Sequence, residues 1–286
     1  MFKFIAGLCA SLIFFAHAAA YSPSGQIFVT MLNVGQGDSF LIETPSQNVL
    51  IDAGDFKERN KLLAELRKAG VSRFEKIILT HAHADHIGGL QIVLDNFAVD
   101  KIYDNGFVSS STFYKKYRDA PTTFGVLRDG VSLDLGGATF NVLHPVNRYD
   151  KINNQSVVGK LVFKNFSMLF TGDLEKDAEQ DLIRHHDVQA DVLKAAHHGS
   201  NSSSSNIFLA HVSPSSILIS CGTKNRFKHP HKAALRRMIF FTDDIYCSAF
   251  NGTVKITSDG NSFDIVPEFN IEWLQYYLDE NSTCDL

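Results

Sequence analysis

Cysteine is scarce in this chain: four of 286 residues, and one of them, Cys9, lies in an apolar N-terminal run. Cys221, Cys247 and Cys284 remain. An odd count leaves at least one thiol unpaired or bonded to another chain. A disulfide scaffold is therefore excluded, and the core has to come from ordinary burial. Positive charge is also in short supply. Lys and Arg number 27 against 31 Asp and Glu, a formal charge of −4, which argues against holding nucleic acid by net charge alone. Beyond the N-terminus no stretch is apolar for long enough to span a membrane. No internal repeat or linker divides the chain, and the serine run Ser202–Ser205 is too short to be a low-complexity segment.

The N-terminus has its own pattern. Lys3 precedes the apolar run Phe4–Ala16, which ends in Ala16-His17-Ala18-Ala19-Ala20. A basic start, an apolar middle and an Ala-x-Ala end read as a secretory signal peptide, cut after Ala18 or Ala20. The run is short for a membrane anchor. The expected organisation is a signal peptide over residues 1–20 and one domain over 21–286, secreted or periplasmic, with no transmembrane segment in the mature chain. Without Lys3 the balance is 26 basic against 31 acidic residues, a charge of −5.

The whole chain is 44% hydrophobic and 20% charged, an ordinary globular balance. Strand-like runs at Ile27–Leu32, Ser39–Glu43 and Val49–Ile51 are followed by an amphipathic helix over Lys57–Ala69, with Leu62, Leu63 and Leu66 inward and Gly70 at its end. Hairpins are expected for Val131–Leu135 with Ala138–Leu143 and for Val157–Phe163 with Ser167–Phe170. Leu174–Arg184 reads as a helix. Val192–Ala195, Ile217–Ser220, Thr253–Thr257 and Ser262–Val266 read as strands, and Ile271–Leu278 as a terminal helix. This order suits two sheets between helices.

The densest chemistry is Thr80-His81-Ala82-His83-Ala84-Asp85-His86-Ile87-Gly88-Gly89. Three imidazoles and a carboxylate lie within six residues. His81 and His83 can reach one metal ion, and Asp85 and His86 a second beside it, the nitrogen and oxygen donors that Zn²⁺ or Mn²⁺ takes. The apolar run Lys76–Thr80 before them reads as a buried strand, so the donors stand at a strand's C-terminal end.

His-Ala-His-Ala-Asp-His-x-Gly-Gly resembles the signature of the metallo-β-lactamase fold, a superfamily of mostly dinuclear hydrolases built as an αββα four-layer sandwich of two mixed sheets. Further segments match in order. Asn33-Val34-Gly35-Gln36-Gly37-Asp38-Ser39 resembles the Val-Gly-Gln-Gly-Asp-Ser motif of a branch that includes the extracytoplasmic hydrolase domain of competence DNA-uptake proteins. Asp52-Ala53-Gly54 matches the Asp-x-Gly after the third strand. Asp38 and Asp52 are expected to orient ligand imidazoles. In Thr171-Gly172-Asp173 the resemblance makes Asp173 a carboxylate bridging two metals. Lys194-Ala195-Ala196-His197-His198-Gly199-Ser200 resembles the branch's Lys-x-x-His-His-Gly-Ser. It implies one histidine as ligand and one holding a substrate oxygen or giving a proton to the leaving group; His198 is expected as the ligand and His197 as the catalytic residue. Asn225-Arg226-Phe227-Lys228-His229-Pro230 resembles Asn-x-x-Gly-His-Pro, with Lys228 in place of glycine and His229 as a final ligand.

One departure matters. Where many enzymes of this fold carry a further histidine, this chain reads Asn153-Asn154-Gln155-Ser156, as its branch does. One metal site is thus expected to lack a usual ligand and take His229 instead. His144, near in sequence, reads as a strand-end turn before Pro145. His185, His186, His211 and His231 are expected at the surface. The basic segment Lys224–Arg237 surrounds His229, and Arg226 and Lys228 are expected to bind an anionic substrate there. Tyr114-Lys115-Lys116-Tyr117-Arg118 either stacks a base or forms an amphipathic helix.

The resemblance implies a hydrolase with two divalent ions, Zn²⁺ first and Mn²⁺ second, in which Asp85 is both ligand and catalytic residue. The expected substrate is an anionic phosphodiester, nucleic acid among the candidates. A β-lactamase or lactonase-type hydrolase is the first alternative, although a carboxylate at Asp173 is not expected in such lactamases. A non-catalytic binding protein that keeps the fold is the second.

Overall fold

The computed structural model describes residues 21–279. The expected signal peptide over residues 1–20, and Cys284, lie outside the described residues. Among the described residues no helix is long and apolar enough to cross a membrane.

Two mixed sheets face one another. The first runs, edge to edge, Phe263–Pro267, Val254–Ser258, Ile27–Met31, Phe40–Glu43, Asn48–Ile51, Lys76–Ile78, Lys101–Asp104 and Thr123–Val126. The second runs Ser132–Asp134, Thr139–His144, Val158–Phe163, Phe166–Phe170, Val192–Lys194, Ser216–Ile219 and Ile245–Cys247. Each sheet is antiparallel on one side and parallel on the other; the change comes at Asn48–Ile51 in the first and at Phe166–Phe170 in the second. The alternating inward residues of both sheets make one shared core, which includes Val29, Ile42, Phe140, Leu161 and Met168. Phe40 of the first sheet meets Phe170 of the second edge to face, 5.4 Å apart at 86°, a geometry worth about 0.5–1.5 kcal/mol beyond simple burial.

Helices cover the two outer faces. Arg59–Lys68, Leu90–Asn96 and Thr112–Arg118 pack on the first sheet through Leu62, Leu66, Val93 and Tyr117. Lys176–His185, Asn206–Val212 and Lys232–Ile239 pack on the second through Leu182, Phe208 and Leu235. The layers are therefore helix, sheet, sheet, helix, as expected. Leu63, expected inward, is only half-buried. The short pair Arg73–Phe74 with Ala98–Val99 and the exposed edge strand Thr123–Val126 carry no clear alternation and were not expected from the sequence.

The parallel halves position the site. The loops after Lys76–Ile78, Phe166–Phe170, Val192–Lys194 and Ser216–Ile219 leave the C-terminal ends of their strands. Those after Ile27–Met31 and Asn48–Ile51 join them at the sheet junction.

Candidate metal centre

Two groups of donors converge, and one residue belongs to both. Asp85, His86, Asp173 and His198 bring donor atoms within 4.8 Å of one another, and so do His81, His83 and Asp173. Asp173 divides its oxygens between them. Oδ1 lies 3.2 Å from His86 Nε2 and 3.5 Å from His198 Nε2. Oδ2 lies 3.8 Å from His81 Nε2, whose own neighbour is His83 Nδ1 at 3.0 Å.

All of these except His83 and Asp85 are fully buried. Yet His86 Nε2, His198 Nε2 and Asp173 Oδ1 make no hydrogen bond among the described residues. They are close, but not aligned as donor and acceptor. Buried polar atoms are normally paired; several left over around one point, with imidazole and carboxylate chemistry, fit the donor set of divalent cations. Burial, and then the charge on His86, pushes His81 well below the usual histidine range, and burial lowers His83. Burial would lower His86 too, but Asp173 and Asp52 outweigh it and hold it well above that range. His198 rises against burial to about 10 because Asp173 and Asp38 face it. Asp173 is held well below the carboxylate range, burial being outweighed by His198 and His86.

Asp52 hydrogen-bonds a donor histidine directly, and Asp38 stands beside another. Asp52 Oδ2 accepts from His86 Nδ1 at 2.7 Å and from Thr80 Oγ1 at 2.7 Å, while Oδ1 accepts from the Thr80 amide at 2.8 Å. With Nδ1–H engaged by Asp52, Nε2 is the nitrogen of His86 that faces Asp173, and its proton is the one a bound cation would displace. His198 Nδ1 is 2.8 Å from the Ser220 carbonyl and 3.2 Å from Asp38 Oδ1. Gly37 makes this close packing feasible: at φ 133° a Cβ there would stand 2.2 Å from the Asp85 carbonyl oxygen, to which the Asp38 amide donates.

The structure brings both His197 and His198 to Asp173. Successive strand side chains point to opposite faces, but His197 and His198 have φ 51° and 56°, and the left-handed turn aims both inward. His198 joins the Oδ1 side. His197 Nε2 lies 3.7 Å from Oδ2, on the side of His81, and its half-buried ring lines the open cavity above the donors. The segment that lacks the further histidine lies here too. Ser156 Oγ accepts from the Asp173 amide at 3.0 Å and lies 3.3 Å from His81 Nδ1; Asn153 Nδ2 is 3.5 Å from His197 Nδ1.

His229 is set back. It belongs to neither donor group, and its ring packs against His197 and His198 at 5.5 and 6.0 Å. Burial and the neighbouring His198 lower it to about 3. Arg226 lines the cavity over the donors, which measures about 580 Å³ and also carries Asp55, Lys57 and Glu58. Lys228 instead lines a neighbouring cavity. The basic segment is partly committed to structure. Arg237 donates to the carbonyls of Ser203 and Ser204, and Lys232 to that of Asp279. The Thr112–Arg118 helix is the amphipathic alternative: Tyr117 is buried and donates to Asp104. His144 is buried under the Asn154 carbonyl, its Nε2 2.8 Å away. His231, expected at the surface, is half-buried and joins two loops through the Asn201 amide and the Phe227 carbonyl.

Lys194 had no assigned role in the sequence. It is 1% exposed, pairs with Asp38 Oδ2, donates to the Gly172 carbonyl at 2.8 Å and stands 3.9 Å from Asp173 Oδ1. Its place in the Lys-x-x-His-His segment was the one available signal.

Comparison with known proteins bears on the fold and the family. The ComE operon protein 3 of Bacillus subtilis is 30% identical over 92% of this chain and 37% of its own length. Competence protein ComA of Neisseria gonorrhoeae is 33% identical over 76% of this chain and 30% of its own. The chain thus spans about a third of the length of these relatives. In structure it is similar to the metallo-beta-lactamase fold protein YhfI from Bacillus subtilis, with a TM-score of 0.55 and 12% identity over 80% of this chain and 99% of that one. The model of the metallo-beta-lactamase superfamily matches residues 32–220. By that match, and by the histidines and aspartates it encloses, the chain belongs to the metallo-beta-lactamase superfamily.

Proposed function

We propose that this chain is an exported phosphodiesterase that works with two divalent ions. The observation that carries this reading is Asp173, whose two oxygens face two separate histidine groups. His81 and His83 would hold one ion with Asp173, and Asp85, His86 and His198 the other. Bound there, two such ions supply an activated water and neutralise charge on the reacting phosphorus and its oxygens. The chain's own residues do the rest. Asp173 fixes the separation of the two groups. Asp52 holds His86 through Nδ1, and the Ser220 carbonyl with the nearby Asp38 carboxylate holds His198 through Nδ1, so that Nε2 of each would face the ion. His197, at the cavity wall and held neutral by burial, is placed to hold a substrate oxygen through Nε2–H. Arg226, on the same wall, is suited to hold the anionic ester.

A screen of Zn²⁺- and Mn²⁺-reconstituted protein against bis(p-nitrophenyl) phosphate, single-stranded DNA, a lactone and a cephalosporin tests this. Hydrolysis of the phosphodiesters is expected, with about two ions per chain and fewer in Asp173→Ala. Arg226→Ala should raise KM more than it lowers kcat. Turnover of lactone or cephalosporin alone would overturn the substrate reading. Export is checked by the N-terminus of native protein, expected at Ala19 or Tyr21.

A further inference from the structure

Cys221 and Cys247 are two of the chain's four cysteines, and the metal centre uses neither. The strands Ser216–Ile219 and Ile245–Cys247 run parallel at one edge of the second sheet, with Ile219 opposite Cys247. Alternate residues of a strand share a face. Cys221 therefore falls on the side of Ile217 and Ile219, and Cys247 on the side of Ile245. All five belong to the apolar layer between the second sheet and its helices. The two Sγ atoms meet there at 3.1 Å, closer than two sulfurs in simple contact, and both residues are fully buried. Two other roles fit poorly. A metal site needs further donors, and among the described residues no histidine or carboxylate completes a set with these sulfurs. A nucleophile needs a thiolate, whereas contact with Cys247, and then burial, pushes the Cys221 thiol well above its ordinary range. A covalent bond between them fits. A disulfide takes an S–S distance of about 2.04 Å, so closure asks for only about 1 Å of sulfur movement.

The position gives such a bond a consequence. Ser220, next to Cys221, has its carbonyl 2.8 Å from His198 Nδ1, and its hydroxyl donates to the Gly37 carbonyl at 2.6 Å. Cys221 is already hydrogen-bonded to Ser248, the residue after Cys247: its amide donates to Ser248 Oγ, and that hydroxyl donates to its carbonyl, each at 2.9 Å. We propose that Cys221 and Cys247 are a cross-linking site. They form a disulfide as the chain folds, and the bond ties the strand end that orients His198 to the edge of the sheet. The proposal rests on the exported reading above, because the thiols need an electron acceptor of the disulfide class. By thiol–disulfide exchange the two thiols lose two protons and two electrons and one S–S bond forms; the acceptor's S–S bond breaks and is reduced to two thiols. Both sulfurs are buried once the sheet is complete, so exchange takes place before the two strands close.

Native protein is denatured without reductant, alkylated and digested. Of Cys221, Cys247 and Cys284, only Cys284 should take the label, against all three after reduction, and the peptides carrying Cys221 and Cys247 should be joined. A second sample, reduced and refolded with glutathione disulfide, should form the same bond whatever the chain's route in the cell. Full labelling of all three in the refolded sample, or a bond from either residue to Cys284, would overturn the proposal. So would full labelling of native protein whose N-terminus is Ala19 or Tyr21. Full labelling of native protein that begins at Met1, beside a refolded sample that forms the bond, would sink export and leave the cross-linking site standing. The bond closes a loop of 26 positions, so the metal-loaded oxidised protein should melt roughly 5–15 °C above the reduced one. Cys247→Ala and Cys221→Ser should each abolish that difference, and Cys284→Ser should keep it. Amide exchange at Cys221 and Gly222 should be slower in the oxidised protein; equal exchange in both forms would overturn the tie to His198.

Discussion

Asp52→Asn should weaken one metal site far more than the other. The carboxylate of Asp52 receives three donors, from the Thr80 amide, the Thr80 hydroxyl and His86 Nδ1, and it is fully buried. Alanine would leave all three without a partner at about 1–3 kcal/mol each, enough to confuse unfolding with loss of function. Asparagine keeps the shape and can still accept from the Thr80 amide. It also tolerates the backbone, since Asp52 has φ 59° and asparagine is among the residues that visit that region readily. What changes is the atom opposite His86: an NH₂ donor replaces an acceptor. The imidazole must then carry its proton on Nε2, the atom facing Asp173 at 3.2 Å, and that nitrogen no longer offers a lone pair. Losing such an orienting partner typically costs ten- to hundredfold in metal affinity, or about 1.4–2.7 kcal/mol. The loss should fall on the Asp85–His86–His198 group. His81 reaches Asp52 only through the Thr80 hydroxyl, 3.1 Å from its Nδ1, so the ion of His81 and His83 should lose much less. Competition with a chromophoric chelator resolves the two affinities. Two unchanged affinities, or an equal fall in both, would refute the argument from the tautomer.

Three further outcomes follow from geometry already described. Lys194→Met leaves the Asp38 carboxylate buried without its ammonium partner, so the melt should show a loss of about 3–5 kcal/mol; adding Asp38→Asn should recover part of it, and strict additivity would deny the coupling. Gly37→Ala places a Cβ 2.2 Å from the Asp85 carbonyl and should lower both metal content and melting temperature. Gly130→Ala, with nothing within 4 Å of its Cβ at φ 84°, should bear only the conformational cost of roughly 1–3 kcal/mol. His144 is depressed by burial to about 4 from an ordinary 6.5. Its contribution is therefore complete above pH 6.5 and fades as pH falls towards 4, while the unfolded chain takes up the proton first; the full span is roughly 3 kcal/mol. His144→Gln should flatten melting temperature against pH across that window, and an unchanged profile would exclude His144 as the source.

Much of the site could be read from the sequence because its donors cluster on single loops. His81, His83, Asp85 and His86 fall within one strand-end loop, and the strand before them announces itself by an unbroken apolar run. What stayed hidden depended on backbone conformation or on long-range pairing. Choosing between His197 and His198 requires their left-handed φ values, which no residue type there signals. The seat of Lys194 depends on Asp38, which is 156 positions away. The Lys224–Arg237 segment looked like one basic edge. In the fold, Arg237 is committed to the carbonyls of a neighbouring loop, Lys228 faces the neighbouring cavity, and Arg226 alone of these three reaches the donors' cavity. His229, expected as a ligand in place of the further histidine, lies outside the two donor groups, its ring against His197 and His198.

The paired left-handed histidines have a cost that the folded protein always carries. A non-glycine residue in that region gives up about 1–2 kcal/mol, and His197 and His198 do so in succession. At His198 the cost cannot be relieved by glycine, because the buried carboxylates of Asp173 and Asp38 would lose a cationic neighbour; at His197, whose ring is half-buried, it can. The metal-free His197→Gly variant should therefore be as stable as the parent or more so, although a histidine is lost from beside Asp173. Drift under selection for folding alone would tend to erase His197 early, so keeping it requires selection on chemistry rather than on structure.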